Sequence, residues 1–133
     1  MLQTRSIVII ADNSGPKSAR IFYIRGDFNK NVKTICGGIR DRIRMSVQTM
    51  RKFKSFRVSR RKRKTIYLSM KRWGYIVRTR ASTRYHCYST LAFTENSSVI
   101  WWRNNRIRGR RTFGITTRFL AFKWLLNKFR FYI

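Results

Sequence analysis

The sequence predicts a mainly β fold, in which a small closed β-barrel carries a protruding basic β-ribbon and a short C-terminal helix. About six short runs rich in β-branched and aromatic residues are separated by turn residues every 8–15 positions, which is typical of a small barrel. A run dense in arginine and lysine interrupts this pattern midway along the chain. The apolar spacing becomes helical only near the C-terminus. A length of 133 residues suits one domain spanning 1–133.

The first third of the chain contains three predicted strands. Residues 7–11 form a β-branched run, and Asp-Asn-Ser-Gly-Pro at 12–16 is a dense turn signal. A second strand is predicted at 19–25 and, after a polar connection, a third at 39–47. The third strand alternates clearly, with Ile39, Ile43, Met45 and Val47 on one side and Arg40, Arg42, Arg44 and Ser46 on the other.

The basic run predicts a ribbon over about 48–70. Nine of the fourteen residues in 51–64 are basic, with Phe53, Phe56 and Val58 between them. Side chains on one side of an extended strand lie about 7 Å apart, which is within the screening length of about 8 Å at physiological salt. These charges therefore repel one another until a polyanion binds.

The remaining elements are predicted as short strands followed by a helix. Strands are expected at 65–70, 75–79, 89–94 and 98–103, with Arg72, Trp73 and Gly74 interrupting the first two. From residue 115 to about 130 the spacing is helical. One stripe holds Thr116, Lys123, Asn127 and Arg130, and the apolar face holds Phe119, Phe122, Leu126 and Phe129, widened by Leu120, Trp124 and Leu125. Such a helix should pack on the barrel, on another protein, or on both.

The charge indicates a nucleic-acid partner. The chain has 32 Lys and Arg against 4 Asp and Glu, and 22 of the basic residues are arginine. The planar guanidinium group binds phosphate through two donors and stacks on bases, which suits folded RNA. A membrane span is excluded because the most apolar stretch, 113–133, contains Arg118, Lys123, Lys128 and Arg130. The N-terminus shows no signal-peptide or transit-peptide pattern. If the protein works in an organelle, we therefore expect it to be encoded and made there.

Metal binding and catalysis are not predicted. Cys36 and Cys87 lack Cys-x-x-Cys spacing, and His86 beside Cys87 has no visible partner pair. Four acids and one histidine leave little for general acid–base or metal-assisted chemistry, so we expect neither an enzyme nor a cofactor. A free-standing, histone-like nucleic-acid packaging protein remains the alternative to a structural RNA-binding protein.

Four segments match the motifs of one known family in order and spacing. They are Ala-Asp-Asn-Ser-Gly-Pro-Lys at 11–17, Ile-Val-Arg-Thr at 76–79, Leu-Ala-Phe-Thr-Glu-Asn-Ser-Ser-Val-Ile at 91–100 and Gly-Arg-Arg-Thr-Phe-Gly-Ile-Thr-Thr-Arg-Phe-Leu at 109–120. On these residues the chain resembles large-subunit ribosomal protein family fourteen. The family's acid-containing C-terminal tail is replaced by Lys-Phe-Arg-Phe-Tyr-Ile at 128–133.

The resemblance implies a five-stranded β-barrel and a structural, non-catalytic role in the large ribosomal subunit. It implies large-subunit rRNA, neighbouring ribosomal proteins and small-subunit rRNA at an intersubunit bridge as partners. The scarcity of acids and the abundance of Phe, Tyr, Ile, Asn and Arg suggest an AT-rich organellar genome. We therefore expect the mitochondrial matrix and its ribosome, with another organellar or the cytoplasmic ribosome as the alternative.

The candidate RNA-binding residues are basic side chains in four places along the chain. They are Lys17, Arg51, Lys52, Lys54, Arg57, Arg60, Arg61, Lys62, Arg63, Lys64, Arg106, Arg108, Arg110, Arg111 and Arg118. For Arg118, capping of the helix start is an equal alternative. Asp12, Asn13 and Ser14 are expected to fix a turn rather than bind RNA. Aromatic residues beside arginines either stack on unpaired bases or cover the barrel; these are Phe53, Phe56, Tyr85 and Tyr88.

Overall fold

The computed structural model describes residues 2–25, 36–52, 66–80, 83–85, 89–102, 106–109, 111–120 and 123–132. Its strands are β1 (Leu2–Gln3), β2 (Ile7–Ile10), β3 (Pro16–Arg25), β4 (Cys36–Gly37), β5 (Arg42–Met50), β6 (Lys71–Arg78), β7 (Thr83–Tyr85), β8 (Ser89–Leu91), β9 (Ser97–Trp102), β10 (Arg106–Ile107), β11 (Ile115–Thr116) and β12 (Phe131–Tyr132). A 3₁₀ turn at Arg118–Leu120 precedes helix α1 (Lys123–Leu126).

Five strands close into a barrel in the order β9, β2, β3, β5, β6 and back to β9. The pairing of β2 with β9 is parallel, and the other pairings around the barrel are antiparallel. Closure removes the open edges that would otherwise be exposed for pairing with another chain. The prediction of a mainly β protein with a five-stranded barrel and one short C-terminal helix is confirmed. Most of the predicted ribbon, 53–65, lies outside the described residues.

The barrel interior is filled by β-branched and other aliphatic side chains that alternate along each strand. In β5, Ile43, Met45 and Val47 point inward and Arg44 points outward, as the sequence pattern predicted. The interior core contains Leu2, Val8, Ile10, Ala19, Ile21, Ile24, Ile43, Met45, Val47, Ile66, Ile76 and Ile100. Burying a side chain of this size stabilises the fold by about 1.5–3 kcal/mol, so this layer is the main source of stability.

A second apolar layer covers the outer faces of β6 and β9. The C-terminal residues Leu120, Leu125 and Phe129 pack there against barrel residues that include Tyr75 and Val77. Strand β6 is therefore buried on both faces in its second half, which explains its consecutive apolar residues Tyr75, Ile76 and Val77. The expectation that the C-terminal segment packs on the barrel is confirmed.

The predicted helix over 115–130 is largely wrong. Residues Ile115–Thr116 form β11, which pairs in parallel with β12, and α1 covers Lys123–Leu126 between them. The Thr116 hydroxyl donates to the Val77 carbonyl oxygen at 3.1 Å and is fully buried. It therefore cannot share an exposed stripe with Lys123. This contact fixes the start of the segment in an extended conformation on β6.

Several strand boundaries also differ from the prediction. Strand β5 begins at Arg42 because the Gly38 amide donates to the Asp41 carboxylate at 2.7 Å, forming a turn in which Arg40 has a positive φ of 82°. Ile39 packs against the second apolar layer instead of the barrel interior. Residues 48–50 belong to β5, in which Thr49 and Met50 pair with β3. Residues 66–70 form a turn into β6 and not a strand, although Ile66 is buried in the interior.

The remaining differences are smaller. Strand β3 begins at Pro16, three residues before the predicted start. Strand β6 runs without interruption through Arg72, Trp73 and Gly74. Strands β8 and β9 are Ser89–Leu91 and Ser97–Trp102, in place of the predicted 89–94 and 98–103. The sequence had suggested a break in β6 because glycine is unfavourable in strand interiors.

Gly74 is required where β6 closes the barrel against β9. A Cβ atom at this position would lie 2.5 Å from the Val99 carbonyl oxygen and 2.4 Å from the Met45 Cε. Because backbone blocks the first approach, we expect Gly74→Ala to lower the free energy of unfolding by about 3 kcal/mol. Gly38→Ala is the matched control, since a Cβ there meets nothing within 4 Å. Thermal unfolding would show a Tm about 10 °C lower for the first variant, and equal values would contradict the explanation.

Candidate nucleic-acid interface

The turn after β2 is organised by one buried carboxylate. Asp12 is fully buried; its Oδ2 accepts a hydrogen bond from the Ile100 amide and its Oδ1 one from the Ser14 amide, both at 2.8 Å. Burial raises the pKa of Asp12, while these donors and the nearby Arg51 act in the opposite direction. Asp12 thus joins the turn to β9 and is inaccessible to RNA, which confirms the expectation that it fixes a turn.

This turn is also bonded to the segment 109–113, almost a hundred residues later in the chain. Asn13 and Arg111 exchange two hydrogen bonds of 3.1 Å: the Asn13 amide donates to the Arg111 carbonyl, and the Arg111 amide donates to the Asn13 Oδ1. The Phe113 amide donates to the Ala11 carbonyl at 2.7 Å. Gly109 packs so closely that a Cβ would lie 2.7 Å from the Asp12 Cβ. The first and fourth sequence motifs therefore form one structural unit.

Arg78 connects the second, third and fourth motifs. Its side chain is 7% exposed, and its Nη2 lies 2.6 Å from the Glu95 Oε1. Its Nη1 donates to the carbonyl oxygens of Phe113 and Ile115, each at 3.0 Å. Burial lowers the pKa of Arg78, and the charge and hydrogen bond of Glu95 oppose that shift. The guanidinium fixes the turn at Gly114, which has a φ of 81°.

Among the predicted RNA-binding residues, Lys17, Arg51 and Lys52 lie at one end of the β3–β5 pair. The Arg51 Nη2 donates to the Ile10 carbonyl at 2.7 Å, and its Cζ lies 4.7 Å from the Phe113 ring centroid. Arg51 is therefore half-buried and contributes to the scaffold, whereas Lys17 and Lys52 are exposed. Segment 53–65 follows directly from this end of the barrel.

The other described candidates are distributed over the later part of the chain. Arg106 and Arg111 are exposed, and Arg108 on the outer edge of β9 is half-buried. Arg118 is exposed in the 3₁₀ turn. The predicted sites that lie outside the described residues are Lys54, Arg57, Arg60, Arg61, Lys62, Arg63, Lys64 and Arg110. The same holds for Phe53, Phe56, Tyr88 and the side chain of Tyr85.

The structure also exposes basic residues that the sequence did not select. Arg20, Arg44 and Lys71 lie on the outer faces of β3, β5 and β6. They share this outer surface with Phe22, Tyr23 and Trp73. The alternation in β5 placed Arg44 outward, but nothing in the sequence indicated that the three strands bring these side chains together.

Two other classes of site find no support in the part of the chain that the structure describes. There, no helix has both the length and the apolar character needed to cross a membrane. No three His, Cys, Asp or Glu side chains within the described ranges are grouped so that they could hold a metal ion.

The comparison with known families agrees with the geometry. A family model described as ribosomal protein L14p/L23e matches residues 1–127 of the chain. The chain belongs to the L14p/L23e family. The match contains all four motifs that meet around Asp12 and Arg78, and it ends close to the start of the divergent tail at 128–133.

Membership of the L14p/L23e family establishes the broad role of the protein. It is a structural, non-enzymatic component of the large ribosomal subunit, and its location is the ribosome. The family implies ribosomal RNA and ribosomal proteins as partners. In this L14p/L23e chain Asp12 and Arg78 are buried scaffold residues.

Proposed function

We propose that this L14p/L23e chain binds large-subunit rRNA through exposed arginine and lysine side chains, with Lys17, Lys52, Arg106, Arg111 and Arg118 among them. The observation that carries the proposal is the distribution of charge. Three of the chain's four acidic residues are engaged in internal contacts: Asp12 with backbone amides, Asp41 with Gly38 and Glu95 with Arg78. Because these acids make internal contacts, we expect a polyanion to balance the net charge of +28.

The basic segment 53–65 belongs to the same proposed interface. Lys52 leads directly into it, and Ile66 re-enters the barrel core at its other end. In the sequence the segment therefore lies between β5 and β6. We include Lys54, Arg57, Arg60, Arg61, Lys62, Arg63, Lys64 and Arg110 in the interface on their sequence.

The salt dependence of rRNA binding tests the proposal. We expect affinity for a large-subunit rRNA fragment to fall steeply as salt rises, because each phosphate contact releases a counterion. Changing Lys17, Arg106 and Arg111 together to Gln should lower the magnitude of the log–log slope by about 2–3, at roughly 0.7–0.9 per lost contact. Gln48→Ala, an exposed neutral change in β5, is the control. An unchanged slope for the triple variant would contradict the proposal. If the wild-type protein bound unrelated duplex DNA as tightly as the rRNA fragment, a packaging protein would be favoured instead.

We further propose that the C-terminal segment contacts a neighbouring ribosomal protein. Phe113, Ile115 and Phe131 are exposed apolar residues, and Ile115 pairs directly with Phe131 across β11 and β12. Adjacent exposed apolar side chains of this kind are typical of protein interfaces. Small-subunit rRNA at an intersubunit bridge is a further proposed contact, which the basic residues Lys128 and Arg130 in the same segment would favour.

We assign the protein to a mitochondrial ribosome in the matrix. The composition supports this assignment: acids are scarce, and Phe, Tyr, Ile, Asn and Arg are abundant, as expected for an AT-rich organellar gene. Fractionation of cells that express a tagged chain from its native gene tests it. Recovery in ribosomes of another compartment would reject the mitochondrial assignment and leave the rRNA-binding proposal unaffected.

A further inference from the structure

A β-bulge places two consecutive aromatic side chains on the outside of the barrel. Ile21 pairs with Met45 and Tyr23 pairs with Arg44, so Phe22 is an extra residue on β3. Ile21 and Ile24 both point into the core and are fully buried. A bulge turns neighbouring side chains toward the same face, and here Phe22 is left 39% exposed.

Two rows of side chains, one on either side of Phe22, run across strands β3, β5 and β6. Arg20, Ser46 and Lys71 are register partners in the first row. Tyr23, Arg44 and Trp73 are register partners in the second row. Rows on the same face of a sheet lie about 7 Å apart, so the Phe22 ring has basic side chains on both sides.

The distances show that these side chains contact one another. The Arg44 Cζ lies 5.8 Å and the Lys71 Nζ 5.9 Å from the Phe22 ring centroid. Arg44 also lies 5.6 Å from the Trp73 ring, and Tyr23 meets Trp73 edge to face at 6.0 Å and 86°. Cation–π and edge-to-face contacts hold the cluster in place before any ligand binds.

The surface therefore combines a partly exposed aromatic ring with adjacent positive charges. A ligand that fits must offer a planar apolar face together with negative charge, and a nucleotide does both. The base stacks on the ring, and the phosphates bond the cations. Among the described residues, the acids Asp12, Asp41 and Glu95 make their contacts elsewhere, so none of these three neutralises the cluster.

We propose that Phe22 is a stacking platform for an unpaired RNA base, with Arg20, Arg44 and Lys71 bonding the phosphates beside it. The inference rests on the proposed rRNA-binding function and assigns a specific site within it. This site is separate from the basic residues selected from the sequence, because its recognition depends on a base as well as on phosphate.

Binding of a short oligoadenylate and of an abasic oligomer of the same length tests the platform. We expect Phe22→Ala to weaken oligoadenylate binding by about tenfold with an unchanged salt slope, since stacking is sequence-tolerant and independent of counterion release. The same variant should bind the abasic oligomer as the wild type does. Phe22→Trp should retain the wild-type affinity, while Phe22→Leu should behave like Phe22→Ala. Circular dichroism would verify that the barrel is intact in each variant.

Tyr67→Ala is the control, because Tyr67 is a more exposed aromatic residue, at 64%, that lies outside the Phe22 cluster and the proposed interfaces. It should bind oligoadenylate normally. If Phe22→Ala binds oligoadenylate like the wild type while the Lys17, Arg106 and Arg111 variant is weakened, the platform is rejected and the rRNA-binding proposal stands. If both variants bind like the wild type, both proposals are rejected. If Phe22→Ala weakened binding of the abasic oligomer as much as binding of oligoadenylate, base stacking would also be rejected.

Discussion

Replacing the five consecutive basic residues 60–64 with glutamine is expected to prevent stable incorporation of the protein into the large ribosomal subunit. The variant changes Arg60, Arg61, Lys62, Arg63 and Lys64. Each lost phosphate contact lowers the magnitude of the salt slope by roughly 0.7–0.9, so five contacts correspond to a loss of affinity of roughly 1,000-fold near physiological salt. The fraction of tagged protein that co-sediments with the large subunit measures the effect.

A control that removes three charges elsewhere separates position from net charge. Arg5, Arg80 and Lys123 are exposed and lie outside every proposed interface, and their matched variant changes Arg61, Lys62 and Arg63. Replacing Arg5, Arg80 and Lys123 by glutamine should reduce incorporation much less. Wild-type incorporation of the 60–64 variant would contradict the role of this segment, and equal losses in the two triple variants would show that only net charge matters.

Replacing Arg78 with methionine is expected to cause a large loss of stability. The change removes three hydrogen bonds from a nearly buried guanidinium, to Glu95 and to the carbonyl oxygens of Phe113 and Ile115. Deleting one partner of a buried ion pair costs about 3–5 kcal/mol. Since Glu95 is 37% exposed and can be solvated, we expect the lower value, which corresponds to a Tm lower by roughly 10 °C.

Glu95→Gln separates the contribution of the Arg78–Glu95 ion pair from that of the Arg78 hydrogen bonds to Phe113 and Ile115. The amide oxygen of Gln still accepts a hydrogen bond from Arg78, so the loss should be about 1 kcal/mol. Limited proteolysis after residue 111 would report release of the C-terminal segment in Arg78→Met and its retention in Glu95→Gln. If Arg78→Met unfolds at the wild-type temperature with the segment still protected, Arg78 does not hold that segment on the barrel.

Local patterns in the sequence predicted the parts of the fold that depend on local chemistry. The alternation of Ile43, Met45 and Val47 with Arg44 correctly assigned the two faces of β5, since a strand with one buried face has period two. The turn signal at 12–16 correctly gave the role of Asp12, because Asp and Gly in that order favour turns. The two faces of β5 and the turn at Asp12 were predictable because both depend on such local signals.

Long-range contacts determined the parts that the sequence did not predict. The apolar spacing of Leu126 and Phe129 fits a helix, but the start of the segment is a turn at Gly114 followed by strand β11. Arg78 and Val77, 35 or more residues away, fix this arrangement by hydrogen bonds. Gly74 suggested a break in β6, whereas it is there to let the Val99 carbonyl approach. The cluster around Phe22 depends on a bulge and on the register of three strands, neither of which leaves a local pattern.

Sedimentation of the tagged chain on a sucrose gradient tests the central claim most directly. We predict that the protein migrates with the large ribosomal subunit at physiological salt and moves to the top of the gradient after ribonuclease digestion. The predicted dependence on RNA follows from the net charge of +28, which rRNA phosphates would neutralise. Migration as free protein before digestion, or with a particle that lacks large-subunit rRNA, would contradict the account.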